Sequence, residues 1–432
     1  MASIVLPALS SGDGTFEVPG DKSISHRILM LSAIAQGNTL VDNCNAGEDV
    51  ERTRRALTSL GVAINGSDRR LTVFGATELR EPGSTIDCGN SGTTMRLLMG
   101  LLADRTRAVL DGDASLRQRP MERVASPLRA MGARIETSSL GRPPVTIEGA
   151  SAGLRGITHA MPFASAQTRS ALLIAGLRAE GETSVSSPAV CRDHAERMLA
   201  AMGARVSVAG LNVTVSRSPL TAIPSYEVPG DISAAAFFLA GAAVAQPGGR
   251  LSVRRVGLNP TRTAALDVLR DMGLRIGVRN LLERHGEPVG DLDIICGVQP
   301  HKRELHLDSG VVPSCIDEIP MLCALAGVVL DRFTVRGASE LRAKESDRVT
   351  STAELLRAFG ITAQELPDGI DVTGTRKLIA PERISTGGDH RIGMTAAFLA
   401  LAARHAIVID AAECIATSFP GFAQAWTGVF RG

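Results

Sequence analysis

Net charge is nearly absent from this sequence: 46 basic side chains face 45 acidic ones in 432 residues. That balance argues against a nucleic-acid binder, which would need a clustered basic face, and against an acidic tail. Long hydrophobic runs are also missing. The longest, Ala234 to Ala245, has 12 residues, against the roughly 20 that a membrane-spanning helix needs. The opening MASIVLPALSSG lacks a charged n-region and a full apolar h-region, and there is no Arg- and Ser-rich transit segment. No targeting segment is therefore expected, and the expected location is the cytoplasm. Cysteine is sparse: Cys44, Cys88, Cys191, Cys296, Cys315, Cys323 and Cys414 are odd in number and form no C-x-x-C. Such spacing supports neither a disulfide framework nor a zinc site, so buried free thiols in a reducing compartment are expected. The eight histidines form no H-E-x-x-H, so no metal is expected.

What is present is an ordinary globular composition, 44% hydrophobic and 21% charged, organised by repetition. One phrase, an amphipathic helix ending in a bulky residue and glycine and then an apolar strand, recurs as RRALTSLGVAI, PLRAMGARIE, RMLAAMGARVSV, VLRDMGLRIGV and ELLRAFGITA. Its glycines, Gly61, Gly132, Gly203, Gly273 and Gly360, are spaced 71, 71, 70 and 87 residues apart, and a weaker copy places Gly428 another 68 on. Each suits the left-handed position that stops a helix. A second phrase alternates with it: a polar turn, a long apolar helix and a strand. Its helix starts are predicted near Ser23, Ser91, Ser165, Ser233, Asp317 and Asp389. Six units of strand–helix–strand–helix–strand–strand result, an α/β fold. Glu17-Val18-Pro19-Gly20-Asp21 returns 210 residues later as Glu227-Val228-Pro229-Gly230-Asp231. That echo predicts two three-unit domains, residues 1–18 with 231–432 and residues 19–230.

The chemistry is expected at helix starts, where a cation is disfavoured by about 0.3–1 kcal/mol. Lys22 in GDKSISHR and Arg391 in GGDHRIG break that preference, and Lys344 stands in LRAKESDRV. A bound anion is the simplest compensation. Ser23, His26 and Arg27 share one helix face, a hydroxyl and a guanidinium suited to phosphate; a Ser cap followed by surface charge is the plainer alternative. His26 is expected to be packed rather than acidic. CGNSGTTMR, containing Gly92, reads as an anion nest or an ordinary capped turn. Arg117 and Arg119 ahead of Pro120 suit a clamp for a carboxylate or phosphate, with solvated charge as the alternative. Ser165 and Gln167 offer neutral groups to a ring-shaped ligand. Asp193 and Glu196 stand at capping-box spacing, leaving Arg192 for a site. Either Asp317 or Glu318 could be a general base or a cap. Lys344 and Arg348 would repel at i, i+4 on a helix unless an anion lies between them, with Glu345 placed for proton transfer.

Taken together and in this order, VPGDKSISHR, GNSGTTMR, LRQRPM, SAQ, DEIP, AKESDR and DHR resemble the motifs of the 3-phosphoshikimate 1-carboxyvinyltransferase family of enolpyruvyl transferases, over essentially the whole chain. The resemblance implies an inside-out α/β barrel of six βαβαββ units, with the active site in the cleft between two domains. It implies transfer of the enolpyruvyl group of phosphoenolpyruvate to the 5-hydroxyl of shikimate 3-phosphate, without cofactor or metal, by a monomer. Carried over residue by residue, it assigns Lys22, Ser23, Arg27, Ser165, Ala166, Gln167, Arg192, Asp317 and Lys344 to shikimate 3-phosphate. To phosphoenolpyruvate it assigns Lys22, Gly92, Arg119, Gln167, Arg348 and Arg391. Asp317 is the implied base, and Glu345 or Lys22 the implied proton donor. Two departures stand out: Thr417-Ser418-Phe419-Pro420 replaces a Lys-Thr-Phe-Pro run, and Ala166 replaces a serine. Both resemble the branch in which some members tolerate glyphosate. The sister enzyme acting on UDP-N-acetylglucosamine uses a loop cysteine, whereas residues 104–125 here hold none. A non-catalytic scaffold would not need Asp317 and Glu345. Two substrates bring roughly −5 to −6 charges to the site. Seven cations would receive them, so the empty site is expected to repel itself and open.

Overall fold

The chain's apolar patterning separates two kinds of helix, and the computed structural model, which describes residues 2–432 apart from Thr77 and Arg105, keeps them apart. The helices are α1 (Lys22–Ala33), α2 (Glu48–Ser59), α3 (Gly92–Leu102), α4 (Glu122–Ala130), α5 (Ala166–Gly176), α6 (His194–Ala201), α7 (Ile232–Val244), α8 (Ala264–Asp271), α9 (Ile319–Val329), α10 (Arg348–Ala358), α11 (His390–Ala403) and α12 (Phe422–Val429). The odd-numbered helices are apolar almost all round and buried nearly throughout; α7 is buried from Ile232 to Ala243. A helix with no polar face has to sit inside a core. The even-numbered helices α2, α4, α6, α8 and α10 each keep one exposed face.

The repeats pair their strands into separate sheets. In the second, strand Ile86–Asp87 runs parallel to Ala108–Asp111, which pairs antiparallel with Val145–Gly149, and Arg134–Glu136 forms the far edge. Among the described residues there are five such four-stranded sheets, a three-stranded one and a two-stranded one. Two strands are exchanged in the process. Gly14–Phe16, which precedes α1, pairs with Arg250–Gly257, while Ser225–Glu227, which precedes α7, pairs with Asn38–Asp42. The last repeat borrows Ile4–Leu6, laid antiparallel on Ile407–Asp410.

The chain divides into two compact units. The first comprises Met1–Pro19, Pro229–Glu283 and Pro288–Gly432; the second comprises Gly20–Val228 and Arg284–Glu287. Each has its own apolar core. In the second unit α3 and α5 approach so closely that a Cβ on Gly100 would lie 2.2 Å from the Ala171 carbonyl oxygen, leaving room only for glycine. Helix-ending glycines Gly61, Gly132, Gly203, Gly273 and Gly360 all take positive φ, from 77° to 105°. Gly428 differs: it lies inside α12 and stops nothing. No described helix is long and apolar enough to cross a membrane.

Every expected start of an apolar helix lies within two residues of an observed one, but the caps differ. Asp21, not Ser23, caps α1, accepting from the Ile24 amide at 2.9 Å. Asp231, not Ser233, caps α7, accepting from the Ser233 amide at 2.8 Å. In both, the carboxylate two residues upstream satisfies the free amides, and the serine is carried into the first turn. Helix α9 starts at Ile319, with Glu318 as its cap residue and Asp317 outside the helix.

Candidate active site

In the second unit, three helix N-termini are tied together by side chains. Lys22 is the first residue of α1, and its ammonium lies 2.8 Å from the Asp49 carboxylate in the first turn of α2. Arg27, one turn on, is 2% exposed. Its guanidinium donates to the Ser23 carbonyl at 2.9 Å, to the Ser170 hydroxyl at 2.9 Å and to the Ala166 carbonyl at 3.5 Å. Ser23 and Arg27 of α1 are thereby joined to Ala166 at the start of α5. His26 is buried with Nδ1 2.7 Å from the Thr53 hydroxyl, which is 2.7 Å from that of Thr94. Burial, then Lys22 and Arg27, holds its imidazole well below the ordinary 6.5, so it is neutral and packed.

Helix α3 begins at Gly92 behind the Ser91 cap, whose hydroxyl accepts from the Thr94 amide at 3.1 Å. A Cβ on Gly92 would lie 3.0 Å from Arg96 Nη1 and 3.3 Å from Arg119 Nη1, so the two guanidinium groups flank the bare backbone. Arg96 donates to Gln167 Oε1 at 2.5 Å and to the Pro120 carbonyl at 3.1 Å, while Gln167 Nε2 donates to Thr93 at 2.8 Å. Both ends of the Gln167 amide are thus fixed. Arg119 donates to Asn90 and, at 3.3 Å, to Ser115. Arg117 does not share this site, since it pairs with Asp111 at 2.5 Å on the surface; the expected double clamp reduces to Arg119. Ser165 caps α5, accepting from the Thr168 amide at 3.3 Å.

The capping box expected before α6 is not formed. Asp193 occupies the cap position, but its carboxylate turns to Arg197 at 2.9 Å, and Glu196 is buried 2.5 Å from Arg169. Burial pushes the Glu196 carboxyl above its usual range, although Arg169 and Arg27 draw it down. Arg192 lies just ahead of this helix, half-buried.

In the first unit, Arg348 organises a second cluster. It is 1% exposed and is the first residue of α10. Its donors reach Asp389 at 2.8 Å, Asp317 at 3.0 Å and Glu345 at 2.7 Å. Burial opposes its charge, but the three carboxylates outweigh that and keep it firmly protonated. Lys344 stands 3.4 Å from the same Asp317 oxygen. The expected helical repulsion between Lys344 and Arg348 does not arise. A short 3-10 turn ends at Ala343, Lys344 is extended, and the helix begins only at Arg348. The Asp317 carboxylate lies against both cations. Arg391, in the first turn of α11, donates to the Ser233 carbonyl at 3.4 Å, and its amide donates to Asp389 at 2.9 Å. Glu318 is buried and accepts from the Ser233 hydroxyl, to which Arg262 also donates at 2.7 Å.

The structure therefore gathers Lys22, Ser23, Arg27, Gly92, Arg119, Ala166 and Gln167 into one connected group, and Asp317, Lys344, Glu345, Arg348 and Arg391 into another. Sequence reasoning missed Asp49, Asn90, Arg96 and the side-chain role of Asp389. Arg96 could have been found one helical turn beyond Gly92, and Asp49 only by pairing across helices. No group of three or more histidine, cysteine or carboxylate side chains that could hold a metal occurs among the described residues.

Comparison with known proteins gives one answer. A family model described as EPSP synthase (3-phosphoshikimate 1-carboxyvinyltransferase) matches residues 9–426. A 3-phosphoshikimate 1-carboxyvinyltransferase of Anaeromyxobacter sp. (strain K) is 46% identical over 413 residues, covering 95% of this chain and 92% of the relative. One of Desulforudis audaxviator is 45% identical over 417 residues, covering 94% and 95%. A solved EPSP synthase of Acinetobacter baumannii has a TM-score of 0.85 at 41% identity and covers 99% of this chain and 97% of that one.

Proposed function

The chain belongs to the EPSP synthase (3-phosphoshikimate 1-carboxyvinyltransferase) family, and from that premise we infer how its two clusters divide the work of one reaction. The enzyme transfers the enolpyruvyl group of phosphoenolpyruvate to the 5-hydroxyl of shikimate 3-phosphate and releases phosphate, a step of the shikimate pathway towards aromatic amino acids. The hydroxyl oxygen adds to C2 of phosphoenolpyruvate while C3 takes a proton. The tetrahedral adduct then returns a proton from C3 and expels phosphate.

In this reading the second unit receives the anions. Lys22, Ser23, Arg27 and Arg192 take the phosphate of shikimate 3-phosphate, and Ser165, Ala166 and Gln167 take its ring. Gly92 and Arg119, with Lys22 and Gln167, take phosphoenolpyruvate. The first unit supplies Asp317 as base for the 5-hydroxyl, Glu345 as proton donor to C3 with Lys22 as the alternative, Lys344 for shikimate 3-phosphate, and Arg348 and Arg391 for phosphoenolpyruvate. The observation that carries this division is Asp317 between Lys344 and Arg348, 3.4 and 3.0 Å away. Both cations contact that carboxylate, and Glu345 lies on the same guanidinium. Five four-stranded sheets and a three-stranded one support the inside-out α/β barrel of the family as the architecture. Seven cysteines, six of them buried and none in a disulfide among the described residues, support a reducing cytoplasmic setting.

Phosphate release tests the reading. It is expected only when both substrates are present, and phosphate from phosphoenolpyruvate alone would refute it. Asp317→Ala should lower kcat by at least about 10²-fold, the usual loss for a general base. Near wild-type turnover would remove the base assignment.

A further inference from the structure

The residues from Ser187 to Asp193 join strand Glu182–Ser186 to α6 and have no helix or strand of their own. Arg192 is in this stretch, so no ladder of backbone hydrogen bonds fixes it. One buried side chain from another helix takes over that task. Arg169 of α5, 4% exposed, donates through Nη2 to two successive carbonyls, Cys191 at 3.1 Å and Arg192 at 3.4 Å. Its Nε faces Glu196, also 4% exposed, at 2.5 Å. Glu196 sits one turn beyond Arg192 on α6 and lies in the field of Arg27 as well.

The geometry points to a positioning role. We propose that the buried Arg169–Glu196 pair holds the backbone at Arg192 at a fixed place relative to α5, and so tunes binding of the phosphate of shikimate 3-phosphate. Arg169 lies two residues beyond Gln167 on α5. The helix that carries the ring contacts therefore also sets the backbone of the phosphate contact. Arg27 ties the same helix to α1 through Ala166 and Ser170, which places both phosphate arginines on one frame. A purely structural role is a weak account of the pair. Two opposite charges taken out of water are commonly replaced by apolar residues of similar volume at no loss of stability.

That replacement makes the test. The proposal rests on the assignment of Arg192 to the substrate phosphate, so Arg192→Ala is measured alongside. In the double variant Arg169→Met/Glu196→Met, calorimetric titration should show shikimate 3-phosphate bound about tenfold more weakly, with the KM for phosphoenolpyruvate within about twofold and kcat within about threefold. The melting temperature should stay close to that of the unaltered enzyme. Unchanged binding of shikimate 3-phosphate would overturn the proposal, as would a parallel loss in both KM values and kcat that tracks the melting temperature. If the double variant does not fold, Arg169→Lys decides. It keeps the charge beside Glu196 but lacks the fork that reaches two carbonyls, so a selective weakening of about threefold is expected and none would refute. If Arg192→Ala itself binds shikimate 3-phosphate normally, the assignment of Arg192 fails whatever the pair does.

Discussion

A neutral imidazole buried beside two cations makes His26 a sensor of acid that the catalytic reading does not use. Its pKa is depressed in the folded chain and ordinary in the unfolded one, so below about pH 6.5 the unfolded state takes up a proton that the folded state refuses. Folding stability contributed here is complete above pH 6.5 and is lost as pH falls, by up to about 1.4 kcal/mol per pH unit. Chemical denaturation of His26→Gln should show a flatter slope between pH 6.5 and 5.5, and an unchanged slope would contradict the account. The packing of His26 agrees with the expectation drawn from the sequence. Its partner Thr53 was not legible there, because a contact between two helices leaves no mark in local sequence.

At the scale of elements, the rule that helix N-termini avoid cations singles out positions where the structure places carboxylate partners. Lys22 and Arg348 are compensated in the ligand-free protein by Asp49 and by Asp317, Glu345 and Asp389, all from other segments except Glu345. Periodicity placed the apolar helices because their burial is written in each residue. At α1 and α7 Asp-x-Ser offers two capping oxygens, and the aspartate takes the cap. Gly92 shows how one backbone position governs a whole helix start. Gly92→Ala would bring a methyl group against the ends of Arg96 and Arg119, flexible side chains that can yield without unfolding α3. The KM for phosphoenolpyruvate should rise several-fold, while that for shikimate 3-phosphate and the melting temperature stay nearly constant. An unchanged KM for phosphoenolpyruvate would show that Arg119 is not placed by this contact.

Over the whole molecule, a net charge of +1 conceals a division of labour. In the second unit Lys22, Arg27, Arg96, Arg119 and Arg192 outnumber the neighbouring carboxylates Asp49 and Glu196. In the first unit Lys344, Arg348 and Arg391 are balanced by Asp317, Glu345 and Asp389. The first pattern suits reception of anions and the second suits movement of protons. The first-unit cluster is neutral within itself. Repeats and motifs made the α/β class and the order of the apolar helices readable, and pointed to residues that the structure draws into two groups. The carboxylates that hold the cations in place were not, since their partners are distant in sequence and become neighbours only on folding. Titration with shikimate 3-phosphate tests most directly whether both clusters serve one reaction. Lys22→Met in one unit and Lys344→Met in the other should each weaken binding by about tenfold or more. Wild-type affinity in either variant would contradict the claim that the two clusters share a substrate.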